Sequence, residues 1–171
     1  MAGAPLSRLA PERSTRYGPR AASAIFRAML LASACALLTA AEILAVQGEA
    51  PAQAKASAGE DRGVSSEQCF FELPTFARSI SLQITRGRGV RVLWRKSFHE
   101  KHEDEEGERA PPKERVRGLG EEAFWVDGPR LGGLYVLRRD AMLRLAIGGA
   151  EQKASKLRRL KQLARKALAR M

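Results

Sequence analysis

The chain is short of the side chains that most catalytic and metal sites require. Its 171 residues include two cysteines, two histidines and 6% aromatics. Cys35 and Cys69 stand far apart, with no CxxC pair and no Cys/His spacing of the kind that holds zinc, so no metal is expected. The two histidines fall in His99-Glu100-Lys101-His102-Glu103. They are three residues apart, which fits neither HExxH nor its reverse, and the cluster reads as an exposed polar loop. So few histidines also argue against a His-based triad. Gly87, Gly89, Gly118 and Gly120 complete neither GxxxxGK[ST] nor GxGxxG and read as turn residues. No apolar run is long enough to span a bilayer, since the uncharged stretch Ala28–Ala41 falls short of the ~20 residues a helix needs. Glu121, Glu122 and Asp127 are the acids from which a hydrolase would have to draw paired carboxylates. No catalytic constellation and no cofactor motif emerges, and the chain reads as non-enzymatic.

What is present is positive charge, unevenly placed. The formal net charge is +11, of which +7 lies in residues 151–171, where eight Lys/Arg meet one Glu. The rest of the chain is nearly neutral, so the C-terminus is a local basic handle acting over a short screened range. With 44% hydrophobic and 29% charged residues the composition is that of a globular domain.

Residues 1–34 form a basic N-terminal segment. Arg8, Arg13, Arg16, Arg20 and Arg27 precede the uncharged stretch, a pattern like a secretory signal, with Ala52-Gln53-Ala54 as an A-x-A site and Leu31–Cys35 as a weak lipoprotein-type site. The competing reading makes Cys35–Gln47 the first helix of the domain. Leu37, Leu38, Ala41, Leu44 and Ala45 recur at helical spacing, and Gly48 stops them. Export places the domain in the periplasm or envelope, and a cytoplasmic location follows if the N-terminus is not a signal.

Residues 35–171 are expected to form one α+β domain. Ala50–Ser66, rich in Ala, Gly and Ser without period, reads as a loop, and residues 100–117 as a second. Strands are expected at Glu67–Leu73, Ser79–Thr85, Glu122–Val126, Gly133–Leu137 and Met142–Ile147, where apolar and polar residues alternate. Val90, Leu93, Trp94 and Phe98 fit a helix face. Leu157, Leu160, Ala164, Ala167, Leu168 and Met171 give a closing helix over Ala150–Met171 an apolar stripe. The sum is an antiparallel sheet of about five strands, with helices packed on one side and a C-terminal amphipathic helix.

Arg158, Arg159, Arg165, Lys166 and Arg170 lie opposite that apolar stripe and form the candidate binding surface. They suit an anionic surface, a nucleic acid backbone, or plain solvation. The helix lacks the aromatic and Asn/Gln content of a base reader. Trp94, Phe124 and Trp125 are the candidate pocket aromatics. Phe124 and Trp125 point to opposite faces of one strand, so one of them needs cover from a helix or loop.

Several separate segments resemble a group of short exported bacterial proteins of unknown function. Cys35-Ala36-Leu37-Leu38-Thr39-Ala40-Ala41-Glu42 is similar to that group's C-x-L-L-T-x-x-E opening. Gln68-Cys69-Phe70-Phe71-Glu72-Leu73-Pro74-Thr75-Phe76 belongs to the same resemblance. Gly118–Trp125 and Gly133–Leu137 look like its GLGDEAFW and LYVLKG segments, although Arg138-Arg139-Asp140 replaces the usual Gly-containing turn. The resemblance implies an exported or lipid-anchored domain, a PsbP/Mog1-like α+β fold, and Cys35 bonded to Cys69. It brings no catalytic residues, and leaves as partner a protein or an anionic surface.

Overall fold

The computed structural model describes residues 33–61, 63–100, 112–128 and 132–171. The signal-like pattern of residues 1–32 and the acid-rich stretch 101–111, with His102 and Glu103, lie outside the described residues.

Seven strands form one wholly antiparallel sheet. They are β1 (Gln53–Asp61), β2 (Val64–Glu72), β3 (Ile80–Arg86), β4 (Lys113–Arg115), β5 (Glu122–Val126), β6 (Gly133–Arg138) and β7 (Ala141–Ile147), in the order β1-β2-β3-β7-β6-β5-β4. The five expected strands are present within a residue or two at most ends, though the first of them begins earlier, at Val64. The sheet has two more than expected. β1 and the first residues of β2 occupy the Ala50–Ser66 segment read as a loop, and β4 lies within the 100–117 segment. Both additions are edge strands whose side chains are exposed along their whole length. A strand that buries nothing shows no alternation, which is why its sequence looks like a loop.

Among the described residues three α-helices accompany the sheet: α1 (Ala40–Gln47), α2 (Val90–Phe98) and α3 (Lys153–Ala169). One sheet face carries Cys69, Phe71, Ile80, Leu82, Ile84, Leu134, Val136, Leu143 and Leu145. These pack against Ile43 of α1 and Leu160, Leu163, Ala164, Ala167 and Leu168 of α3 as the main core. The other face carries Phe124, Tyr135, Leu137 and Met142, covered by Val90, Trp94 and Phe98 of α2. The expectation of helices on one side is therefore corrected. Phe124, Tyr135, Leu137 and Met142 are too apolar to be left in water, and α2 takes them. Leu93, expected on the inner face of α2, is 41% exposed, because the helix turns Val90 and Trp94 inward instead.

The expected helix Cys35–Gln47 is broken in two. A 3-10 turn, Ala34–Leu37, is followed by extended Leu38 (φ −132°, ψ 136°), and α1 starts afresh behind Thr39. Thr39 caps the helix: its Oγ1 accepts from the Glu42 N–H while the Glu42 carboxylate accepts from the Thr39 N–H, a reciprocal capping box. The break resets the helical phase, so Ile43 and Gln47 face the core while Leu44 is 48% exposed. Gly48 closes the helix at φ 79°, a left-handed conformation that costs glycine nothing. The Cys35–Cys69 disulfide joins the 3-10 turn, rather than a helix, to β2 across 34 residues of chain.

Glu42 also joins this N-terminal unit to α3. Its Oε1 accepts from Arg170 at 2.9 Å and lies 3.8 Å from Lys166 Nζ. The Arg170 hydrogen bond, helped by the Thr39 contacts and Arg170's charge, holds the Glu42 carboxyl down at about 2, against an ordinary 4.5. A carboxylate depressed on folding stabilises the protein above its unfolded value and loses that contribution as pH falls through the folded one. Glu42→Gln should therefore cost about 1–2 kcal/mol at neutral pH, the full linkage value being reduced for partial solvent screening. The difference between variant and parent should shrink as pH falls from 4.5 to about 2. Urea titrations at pH 7 and pH 2.5 check it, and a difference independent of pH would disprove it.

Candidate functional site

α3 is held by its apolar side and by part of its charge. Of the five cations expected to form a binding surface, three are engaged within the chain. Arg159 pairs with Glu151 at 3.0 Å and reaches Gln47 Oε1. Lys166 and Arg170 converge on Glu42, and Arg170 also donates to the Leu37 carbonyl at 3.1 Å. These three clamp α3 to α1 and to the 3-10 turn. At the other end Lys153 contacts Glu114 of β4, and Lys156 contacts the Gly149 carbonyl.

Arg158 and Arg165, by contrast, are exposed and form no ion pair or side-chain hydrogen bond among the described residues. Lys161, absent from the expected set, is half-buried and likewise forms no ion pair or side-chain hydrogen bond among the described residues. Positions 158, 161 and 165 are spaced i, i+3 and i+7, so they share one narrow arc of the helix. The buried residues 160, 163, 164, 167 and 168 occupy a different arc. Arg158 and Arg165 therefore point into solvent, while Lys161 flanks them on the side nearer the buried arc and is half-buried. The stripe they form is about 10 Å long at 1.5 Å per residue, comparable to the ~8 Å screening length at physiological salt, so the three charges act together on a partner.

The aromatics divide as the strand alternation requires. Phe124 goes under α2, with Phe98 stacked on it at 4.9 Å and Trp94 at 5.9 Å. Trp94 donates its Nε1–H to Glu122 Oε2 at 2.8 Å, and His99 meets the same oxygen at 2.8 Å. The Trp94 and His99 hydrogen bonds hold the Glu122 carboxyl below its usual value. Trp94 and Phe124 are packing residues of the second face's core. Trp125 turns to the main core and does line one, of about 370 Å³, together with Phe70, Phe76, Ser81, Arg144 and Lys156. Phe76 stands 70% exposed at its rim.

Most polar groups of that cleft are already engaged by the chain. Arg144 donates to the Tyr135 hydroxyl at 3.0 Å and the Gly132 carbonyl at 3.2 Å. Ser79 Oγ accepts from the Leu73 N–H and Ser81 Oγ from Gln68, while Lys156 contacts the Gly149 carbonyl. A cleft so committed would exchange existing bonds for new ones on binding a polar ligand.

The three acids considered for hydrolysis are engaged separately. Glu121 pairs with Arg91 at 2.9 Å and accepts from the Arg139 N–H, Glu122 holds Trp94 and His99, and Asp127 lines the cleft. Among the described residues no three His, Cys, Asp or Glu are grouped to hold a metal ion, and no helix is long and apolar enough to cross a membrane. The fold and site define an α+β domain with a disulfide-tethered N-terminal turn and an outward basic helix face. No protein-family model, no curated protein and no solved structure matches the chain.

Proposed function

We propose that this is a non-enzymatic, exported or envelope-associated domain that docks on an anionic surface through the outer face of α3. One observation carries the reading. Arg158 and Arg165 point away from the core with the half-buried Lys161 beside them, and none of the three has a partner among the described residues, whereas the helix's other cations are spent on holding it in place. A cationic stripe left free while its neighbours are paired is available to an external anion at little cost in fold stability. The Cys35–Cys69 bond supports export, because disulfides persist in oxidising compartments. The basic N-terminal pattern and the resemblance to exported proteins support it too.

The test separates the two sets of cations. Arg158→Gln, Lys161→Gln and Arg165→Gln together should abolish retention on vesicles containing anionic phospholipid, with stability unchanged. Arg159→Gln, Lys166→Gln and Arg170→Gln together should lower stability and leave retention largely intact in the folded fraction. Retention of the first triple variant would end the surface reading. The alternative is a cytosolic protein binding nucleic acid through the same helix. It is favoured if the parent ignores vesicles but binds duplex DNA with an affinity that falls steeply with salt.

A further inference from the structure

The two edges of the sheet are built differently. β4 is three residues long and consists of Lys113, Glu114 and Arg115, with Lys113 on the Ser97 carbonyl and Glu114 on Lys153. Short, charged and tied down, it is the kind of edge that resists pairing with another chain. β1 has few of those protections. It runs nine residues in unbroken register with β2, from Gln53 opposite Glu72 to Asp61 opposite Val64, without a bulge or a proline. Its side chains are small and all exposed, and its one cation is Lys55. Ala, Gly, Ser and Asp are poor strand formers. Within the chain, β1 buries nothing to offset that.

We infer that β1 pairs with β1 of a second copy, antiparallel and edge to edge, making one continuous sheet across a two-fold axis. The charges choose this partner. β1 carries Lys55 near its start and Glu60 and Asp61 at its end. In a two-fold register centred on Ala58, Lys55 of each chain lies directly opposite Asp61 of the second copy. Centred on Ser57, it lies diagonal to the same residue and on the same face. Either way the pattern is self-complementary at both ends, and opposite charges across a strand pair attract. Lys55 reaches across the β1–β2 ladder to Glu72 at 2.8 Å, on the side away from the free edge, but its side chain is 59% exposed, so pairing requires its ammonium to swing towards Asp61 of the second copy. The small side chains in between let the second strand approach without a steric obstacle.

The symmetry has a consequence for the proposed docking face. The two-fold axis of an antiparallel strand pair stands perpendicular to the sheet, so like faces fall on the same side. Both α3 helices, each with Arg158 and Arg165 outward and Lys161 beside them, would then face one way, and a flat anionic surface could meet both. That last step rests on the docking reading, whereas the pairing itself does not.

Charge exchange tests the pairing on the full, oxidised chain by sedimentation equilibrium over a concentration series. The parent should show a concentration-dependent monomer–dimer equilibrium. Lys55→Glu alone should be monomeric, as should the double variant Glu60→Lys, Asp61→Lys, each with the parent's circular dichroism and intact disulfide. An equimolar mixture of the two restores opposite charges at both ends and should regain a dimer containing one of each. A parent that stays monomeric, a Lys55→Glu variant that still dimerises, or a mixture that does not recover would each overturn the inference. The Arg158, Lys161, Arg165 variant should lose vesicle retention yet dimerise as the parent does, so either reading can fail alone.

Discussion

Changing Cys35 and Cys69 together to alanine is expected to lower the stability of the oxidised protein by about 3–4 kcal/mol. The bond closes a loop over a sequence separation of 34 residues, and loop closure of that length is the larger part of the effect. Cys69 sits fully buried on the core face of β2, opposite Leu82, so its pairing also brings the 3-10 turn to the sheet. Leu37 of that turn is fully buried beneath it. For a domain whose whole stability is roughly 5–15 kcal/mol, such a loss is a large share. Guanidinium titration of parent and variant, with and without reductant, measures it. Reductant should destabilise the parent by a similar amount and leave the variant unchanged. A loss below about 1 kcal/mol would mean that Leu37, Leu38 and Ile43 already hold the N-terminal unit against the sheet unaided.

What was legible in the sequence follows from burial contrast. Ile80, Leu82 and Ile84, and likewise Leu143, Leu145 and Ile147, alternate cleanly because one face of each strand is buried and the other is not. The stripe of α3 was legible for the same reason, although Leu163, buried in its midst, was passed over. β1 was not legible, because Gln53–Asp61 has no buried side to contrast with its exposed one. α2 was visible as a helix, yet its periodicity carries no information on which sheet face receives it. That depends on Phe124 and Tyr135 becoming neighbours through the β5–β6 register. At the site, Lys161 could have been found by asking which cations share an arc with Arg158 and Arg165. Reading by sign grouped them instead with Arg159, Lys166 and Arg170, whose acids, Glu151 and Glu42, lie outside the helix and meet it only in the folded chain.

Trp94→Ala should cost about 3–5 kcal/mol, the range for removing a buried large aromatic. Val90 and Trp94 are the fully buried side chains of α2, and Trp94 is 2% exposed. Its ring lies 4.3 Å from Phe98 and 5.9 Å from Phe124, so its loss opens the centre of the second face's small core. Trp94→Phe distinguishes packing from the hydrogen bond, since it keeps a ring in place and removes only the donor to Glu122. Glu122 Oε2 still has His99 as a partner, so that variant should lose only about 1 kcal/mol. It also leaves Trp125, in the main core on the opposite face, as the one tryptophan to report unfolding by fluorescence. If the two faces fold as one cooperative unit, Trp125 fluorescence and far-ultraviolet circular dichroism of Trp94→Phe will trace a single transition. If α2 is a separately melting cover, the circular dichroism will begin to fall at lower denaturant, before Trp125 responds. The continuous strands β5, β6 and β7 present one side to each core, and a strand cannot keep its register on one face while losing it on the other. Coincident transitions are therefore the expected result.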